Sequence, residues 1–486
     1  MSKQNRSVSL AKVFCLCLAC LTLFLTNIPW AFAQTIELSD ANVEPSTLLG
    51  PSRQIMRLSD GRIFTSLNPK IGDEPSVRLF AAKEDQAWKD VTGDTLPKNV
   101  NYVSSDTGSL GTYVGYVNQE TKGGEIAFFP DPIGNPGRAV ISETLTPIAP
   151  TIEVADTFIA ASKGEDSVNT VAYAWRDKNA KQIYLGISKD GTNFDKAKVI
   201  VKDSGLSSPP AIAVHNSYIA VSYLTRNPRV VGKLPQVEDR SLPAFVESWD
   251  GGTTWTSPKP VFGKNIQDFP KLESSLKPLP GEKFSPRLFA AGGSRDIGNS
   301  LAWAQAEIGA RIFVLTEQAV VSDSPEINSQ LEENRPFAGV VTFKDLSDGP
   351  KAKWQHVVAS EYIADPLSPS AGQVSNFNYS ALPGTTLRAV AYKENLGDQE
   401  EVVVSISTNT GKTFDRFVKF PAKDFGLSSL AFTTSSCLRK TSKGEVSLDV
   451  ALLSEGGKDV AIKSLPLNIN LAELPPSMFN NVTRWP

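Results

Sequence analysis

One short pattern, written three times, constrains this chain more than any other feature. Ser248-Trp249-Asp250-Gly251-Gly252-Thr253-Thr254-Trp255 fits S-x-D-x-G-x-T-W at every specified position. Ser407-Thr408-Asn409-Thr410-Gly411-Lys412-Thr413-Phe414 is the same device with Asn for Asp and Phe for Trp. Ser188-Lys189-Asp190-Gly191-Thr192-Asn193-Phe194 is one residue shorter. Each follows a β-type run: Tyr184–Ile187, Ala244–Glu247 and Val402–Ile406. Such a pattern describes a locked hairpin. A Ser hydroxyl and an Asp or Asn side chain can accept hydrogen bonds from backbone N–H groups in the turn. Glycine takes a φ > 0 position that other residues resist. The aromatic ring (Phe194, Trp255 or Phe414) folds under the hairpin, filling the wedge between neighbouring sheets. One carboxylate per turn is far short of the six to eight oxygens that calcium takes, so no metal is expected here.

The rest of the chain reads as short strands. Ile63–Leu67, Val77–Ala82, Thr112–Val117, Thr170–Trp175, Tyr218–Leu224, Arg311–Thr316, Leu387–Tyr392 and Val402–Ile406 are rich in β-branched and aromatic residues. Gly, Pro, Asp and Asn clusters separate them, and no window carries a sustained, capped helical period. Degenerate copies of the hairpin fill the gaps at Ala82–Trp88, Phe129–Gly137, Asp345–Trp354 and Ser454–Asp459. Hairpins starting near 82, 129, 188, 248, 345, 407 and 454 lie 47 to 62 residues apart, with one interval of 97 that must hold an insertion. A four-stranded sheet leaves a face bare until the next packs on it. The expectation is therefore an all-β propeller, seven blades preferred and six possible, as one domain over 34–486.

The first 33 residues read as a leader rather than fold. Lys3, Arg6 and Lys12 precede an apolar run from Val13 to about Thr26, and Ala31-Phe32-Ala33 supplies a cleavage site. Cleavage there predicts a secreted or periplasmic product starting at Gln34 with no membrane span. Three of the four cysteines leave with the leader, so no intramolecular disulfide is expected at Cys437. The net charge is −3, and the leader's removal makes it more acidic. Without a Lys/Arg block the chain does not resemble a nucleic-acid binder. With His215 and His356 as its histidines, neither a His-centred metal site nor a Ser-His-Asp triad is supported, and no cofactor is implied.

The repeated pattern is an Asp box, and Asp boxes on a chain of this length resemble the sialidase (neuraminidase) superfamily of BNR-repeat propellers. In that family the boxes lie on the periphery, so the resemblance implies fold more than activity. It also implies where an active site would fall. Arg53, in Ser52-Arg53-Gln54-Ile55-Met56, stands where the family places the first arginine of a carboxylate clamp, although the flanking aromatic and proline are absent. Asp73 occupies the acid/base loop position. Tyr379, in Tyr379-Ser380-Ala381-Leu382-Pro383-Gly384, resembles the nucleophile strand, with Glu394 following Tyr392. Arg287 and either Arg226 or Arg229 match further clamp arginines by position. Arginine suits that task because its planar fork pairs bidentately with a carboxylate.

Two functions follow as expectations. The preferred one is a non-enzymatic propeller that binds a glycan or protein at its axial face. The alternative is an exo-sialidase-like retaining glycoside hydrolase with Tyr379 as nucleophile and Asp73 as acid/base. Three arginines, a Tyr–Glu pair and an Asp converging at one mouth would favour the second.

Overall fold

The structure is a computed structural model, which describes the chain between Gln34 and Leu474 with breaks. Residues 1–33, 44–54, 93–98, 131–139, 143–153, 162–168, 232–240, 263–287, 295–299, 306–309, 323–328, 330–336, 361–372, 422–435, 441–443, 454–458 and 475–486 lie outside the described residues, as do shorter gaps beside them.

Strands β1 (Gln34–Glu37) and β2 (Ala41–Val43) come first. Then follow β3 (Ile55–Arg57), β4 (Ile63–Leu67), β5 (Pro69–Ile71), β6 (Glu74–Pro75), β7 (Arg78–Ala82) and β8 (Lys89–Asp90). β3, β4, β7 and β8 make the first sheet, while β5 and β6 pair with β2 in a small three-stranded one. The second sheet is β9 (Val100–Thr107), β10 (Thr112–Asn118), β11 (Gly123–Phe129) and β12 (Val140–Ser142). The third is β13 (Val154–Ala161), β14 (Val171–Asp177), β15 (Gln182–Ser188) and β16 (Lys198–Lys202). The fourth is β17 (Ala211–His215), β18 (Tyr218–Thr225), β19 (Leu242–Ser248) and β20 (Lys259–Pro260), with helix α1 (Pro228–Val231) between β18 and β19.

The fifth sheet departs from the plan. β21 (Leu288–Ser294) and β22 (Ser300–Gln305) both pair along the long β23 (Ala310–Ser322), which continues to β24 (Phe337–Asp345) and β25 (Gln355–Val358). The sixth sheet is regular: β26 (Gln373–Ala381), β27 (Arg388–Leu396), β28 (Gln399–Ser407) and β29 (Arg416–Pro421). The seventh has β30 (Ser436–Lys440), β31 (Glu445–Leu453) and β32 (Asp459–Asn470), and takes β1 as its outermost strand. All pairings are antiparallel, as short connections between sequential strands require.

The first strands of successive sheets touch one another, with β22 rather than β21 taking that place in the fifth: β3 with β9, β9 with β13, β13 with β17, β17 with β22, β22 with β26, β26 with β30, and β30 with β3. Apolar clusters fill the wedges between sheets. One joins Ala172 and Leu185 of the third sheet to Ile212, Val221 and Val246 of the fourth and Ile312 of the fifth. Another joins Phe313 and Phe343 of the fifth to Val390, Tyr392 and Phe414 of the sixth.

Polar stitches cross the same wedges. The Tyr173 hydroxyl donates to the Tyr116 carbonyl at 2.9 Å, and Asn378 Oδ1 accepts from Ser436 N at 3.0 Å and Ser436 Oγ at 2.6 Å. The first of these requires a glycine. A Cβ at Gly115 would sit 2.4 Å from the Tyr173 ring, so a side chain there would push the second and third sheets apart.

The expected hairpins are placed unevenly. Those at 82, 129, 188, 248, 345 and 407 join the third and fourth strands of their sheets. The segment Ser454–Asp459 instead joins β31 to β32, the second and third strands. The reason is topological: the last sheet takes its fourth strand from the N-terminus, so the described residues downstream carry no third-to-fourth hairpin. No described helix is long and apolar enough to cross a membrane.

Candidate functional site

The three patterned turns share one hydrogen-bond scheme. Ser188, Ser248 and Ser407 end β15, β19 and β28, each a third strand. In the middle turn the Ser248 hydroxyl donates to Asp250 Oδ1 at 2.8 Å and accepts from Gly252 N at 2.8 Å. Asp250 then accepts from Thr254 N at 2.8 Å and from Thr254 Oγ1 at 2.6 Å. The third turn repeats this with Ser407, Asn409, Gly411 and Thr413, except that the side-chain bond reverses and Asn409 Nδ2 donates to Thr413 Oγ1 at 2.9 Å. In the short turn, Asn193 stands in for the threonine, its N and Nδ2 donating to Asp190 at 2.7 and 2.6 Å.

Gly191, Gly252 and Gly411 hold φ of +82°, +85° and +86°. At Gly252 a Cβ would also meet Ile187 Cδ1 at 2.1 Å, so the position excludes side chains twice over. Phe414 is buried against Phe313, while Trp255 and Phe194 are half-buried on their clusters. Trp255 Nε1 donates to the Gly252 carbonyl at 3.1 Å.

These hydrogen bonds shift acidity. Donation by the Thr254 hydroxyl and amide, then by Ser248, lowers Asp250 to about 2. Asn193, through side chain and backbone, holds Asp190 further below the carboxylate range. A carboxylate whose folded pKa is depressed stabilises the fold above its unfolded value and loses that contribution as pH falls through the folded one. For Asp250 the window runs from about 4 down to about 2. A carboxyl NMR titration is expected to put its midpoint near 2, and Thr254→Val is expected to move it upward. A normal midpoint in the parent protein would show the turn unformed.

Tyr379 lies in the wedge between the fifth and sixth sheets. Its ring stacks on Phe313 with centroids 4.5 Å apart. Its buried hydroxyl sits beside the Arg388 guanidinium without a hydrogen bond of good geometry, and among the described residues the charged groups acting on it are Arg388 and Arg311, with no carboxylate. Burial pushes the phenol well above its usual range, and the charges of Arg388 and Arg311 only partly offset this.

Both arginines have other work. Arg388 is buried and donates through Nη1 to the Thr385 and Leu387 carbonyls at 2.8 and 2.7 Å. Arg311 grips Asp345 at 2.7 and 3.1 Å and reaches the Thr410 carbonyl at 2.7 Å, which ties the fifth sheet to the third patterned turn.

Register places Tyr379 at the same end of the sheet as that turn. It opposes Val390, two residues from Arg388, which opposes Ser407. Glu394 lies four residues further along β27, about 13 Å at strand rise, and its carboxylate is held by Lys419 at 2.9 Å. Arg53, Asp73 and Arg287 lie outside the described residues.

Arg226 and Arg229 lie at the opposite end of the fourth sheet from its patterned turn, in the connection from β18 to β19. Both are exposed. Arg226 Nε reaches Ser241 Oγ at 3.4 Å, and Asn227 Oδ1 accepts from Arg229 N at 3.0 Å. The neighbouring loop is packed tightly enough to fix this backbone, since a Cβ on Gly205 would lie 2.3 Å from Asn227 N.

One polar constellation escaped the sequence reading. Glu247 and Lys344 form a buried ion pair between the fourth and fifth sheets. The Tyr218 hydroxyl donates to Glu247 Oε2 at 2.9 Å. The rings of Phe245, Trp354, Tyr218 and Trp249 surround the Lys344 ammonium at 5.0 to 5.8 Å. The signal available in sequence was a lone lysine inside the apolar run of β24.

No family model matches the chain, and no curated protein matches it. Among solved structures it is similar to a polysaccharide lyase described as an ulvan lyase, at 10% identity and TM-score 0.46, over 91% of this chain and 99% of that one. It is similar to the fucose-specific lectin from Aleuria aurantia, at 9% identity and TM-score 0.39, over 79% and 96%. A third is the catalytic domain of an α-L-arabinofuranosidase from Coprinopsis cinerea, at 11% identity and TM-score 0.34, over 62% and 95%. Scores this low assign no activity to the chain.

Proposed function

We propose that this chain is an exported, seven-bladed propeller of the Asp-box kind that binds a glycan or protein partner and performs no hydrolysis. Seven blades are supported by the succession of first-strand contacts, which returns from β30 to β3. The Asp-box reading is supported by three turns that share one bonding scheme and one topological place.

The observation that carries the functional reading is the setting of Tyr379. A phenol nucleophile needs a carboxylate base within about 2.6–3.2 Å. This one is stacked in a wedge, beside arginines committed elsewhere, at the end of the sheet that bears the patterned turn. Binding falls instead to the opposite, loop-bearing end, where Arg226 and Arg229 are exposed on a rigid backbone.

Purified protein incubated with a fluorogenic sialoside is expected to release no product. Robust release, abolished in both Tyr379→Phe and Asp73→Ala, would establish the exo-sialidase-like alternative. On a glycan array, binding that falls about tenfold or more in Arg226→Ala with Arg229→Ala is the positive result, the size expected of one charge-assisted pair lost. Binding unchanged by those substitutions would move the site away from that end.

A further inference from the structure

At the loop-bearing end of the third and fourth sheets the described charges are sorted by sign. Lys181, Lys202, Arg226 and Arg229 are exposed there, whereas Asp177 and Asp203 are each only 3% exposed. Both acids turn inward to their own loops. Asp177 Oδ1 accepts from Asn179 N and Ala180 N at 2.9 and 3.0 Å, and Asp203 Oδ1 accepts from Gly205 N at 2.9 Å. The four cations stand on backbone that hydrogen bonds tie together. Lys202 opposes Gln182, the neighbour of Lys181, and the Lys181 carbonyl accepts from Asp203 N at 3.0 Å. Two residues on, the Gly205 carbonyl accepts from Arg226 N at 2.9 Å, so the row crosses from the third sheet to the fourth. The other end of the third sheet is mixed instead, with exposed Lys189, Lys196 and Lys198 interspersed with exposed Asp190 and Asp195.

We infer that the ligand held at this end is a polyanionic polysaccharide, its sulfate or carboxylate groups meeting Lys181, Lys202, Arg226 and Arg229. The inference rests on the binding reading above and narrows it to one ligand class. The chain carries a net charge of −3, so four exposed cations with both neighbouring acids withdrawn are a local feature. Such a patch concentrates an anion at the surface and does nothing for a neutral sugar. A polysaccharide is favoured over an acidic protein by what the patch lacks, since protein interfaces are anchored by large aromatic and other packed side chains. Among the described residues the exposed large apolar side chain is Leu110, which lies in the turn between β9 and β10, beside Gly191 at the opposite end. Around the cations stand exposed Asn179 and Ser204 instead, whose amide and hydroxyl groups suit the hydroxyls of a sugar.

Dextran sulfate and unmodified dextran share a backbone and differ in charge, so the two together isolate the anion. The purified protein is compared with Lys181→Asn plus Lys202→Gln, and with Lys189→Gln plus Lys198→Gln, which removes the same charge from the patterned-turn end. Asparagine suits residue 181, where φ is +52°. Neither variant touches the arginine pair tested above, so the ligand class and the place of binding are read separately.

The parent is expected to bind dextran sulfate and not dextran, with an affinity that falls as NaCl rises. The 181/202 variant should raise Kd about tenfold and flatten the salt dependence, while the 189/198 variant should match the parent. Equal losses in the two lysine variants would overturn the inference, because positive charge anywhere would then serve. Poly-L-glutamate bound as tightly as dextran sulfate would overturn it in favour of an acidic polypeptide. A glycan-array signal lost in Arg226→Ala with Arg229→Ala, together with no binding of dextran sulfate, would keep the loop end as the site and overturn the anionic ligand. Dextran sulfate bound equally well after all four substitutions would overturn the loop end itself.

Discussion

Replacing Lys344 with methionine should destabilise the protein by about 3–5 kcal/mol, the cost of leaving a buried charge without its partner. Lys344 and Glu247 are 2% and 3% exposed, so neither solvent nor salt screens the pair. Burial pulls the Lys344 ammonium toward neutrality, and the Glu247 carboxylate opposes this. Removing the lysine leaves Glu247 with the Tyr218 hydroxyl alone, in a wedge walled by Trp249, Trp354 and Phe245. The loss is about a fifth or more of the stability typical of a domain.

The double variant Glu247→Gln with Lys344→Met removes the orphaned charge and keeps the volume, so it should recover well over half of the single loss. Chemical denaturation of the parent, both singles and the double completes the cycle. A coupling energy below about 0.5 kcal/mol would mean that the two groups do not form a pair in solution. The pair matters because it joins two sheets rather than two strands.

Much of the fold was legible because hairpins are local. The turn at 248–255 could be read atom by atom, since Ser, Asp, Gly and Thr act within eight residues of one another. Strand centres were legible for the same reason, but strand ends were not. The run Val402–Ile406 extends in the structure to Gln399–Ser407, and Leu387–Tyr392 becomes Arg388–Leu396. Apolar content marks where a strand is buried, whereas the ladder runs on through Glu394 opposite Glu401 and through Lys393, ion-paired with Glu400 at 2.6 Å.

The hairpin expected at Ser454–Asp459 was misplaced for a different reason. A sheet whose fourth strand arrives from the N-terminus shifts the phase of the repeat, and no local pattern records that. The candidate site was least legible of all. Tyr379 matches a nucleophile strand by motif, yet what decides its chemistry is the sheet packed against it. Phe313 covers its ring, and Arg311 is already committed to Asp345 and Thr410. Those partners lie far off in sequence, and no spacing rule brings them together.

The second large effect is expected at Trp175, where Trp175→Ala should cost about 3–5 kcal/mol. Alternation along β14 sends Tyr173 and Trp175 to the same face. Trp175 opposes Tyr184 on β15, with rings stacked 5.8 Å apart at 5°, and Tyr173 lies 5.6 Å away on its other side. The row then reaches the second sheet through the Tyr173 hydroxyl. Deleting the indole therefore removes two ring pairs, each worth about 0.5–1.5 kcal/mol beyond its area, and opens a cavity in the apolar cluster that the third sheet shares with Tyr113, Val117 and Ile126 of the second.

Trp175→Phe provides the contrast. The indole Nε1 is buried without a hydrogen-bond partner. Phenylalanine keeps most of the stack while removing a donor that costs about 1–3 kcal/mol when desolvated and unpaired. The phenylalanine variant should accordingly lose less than half as much as the alanine variant in urea unfolding. Equal losses would mean that the indole nitrogen finds a partner in solution. A cost below about 1.5 kcal/mol for alanine would mean that the second and third sheets do not rest on this ring.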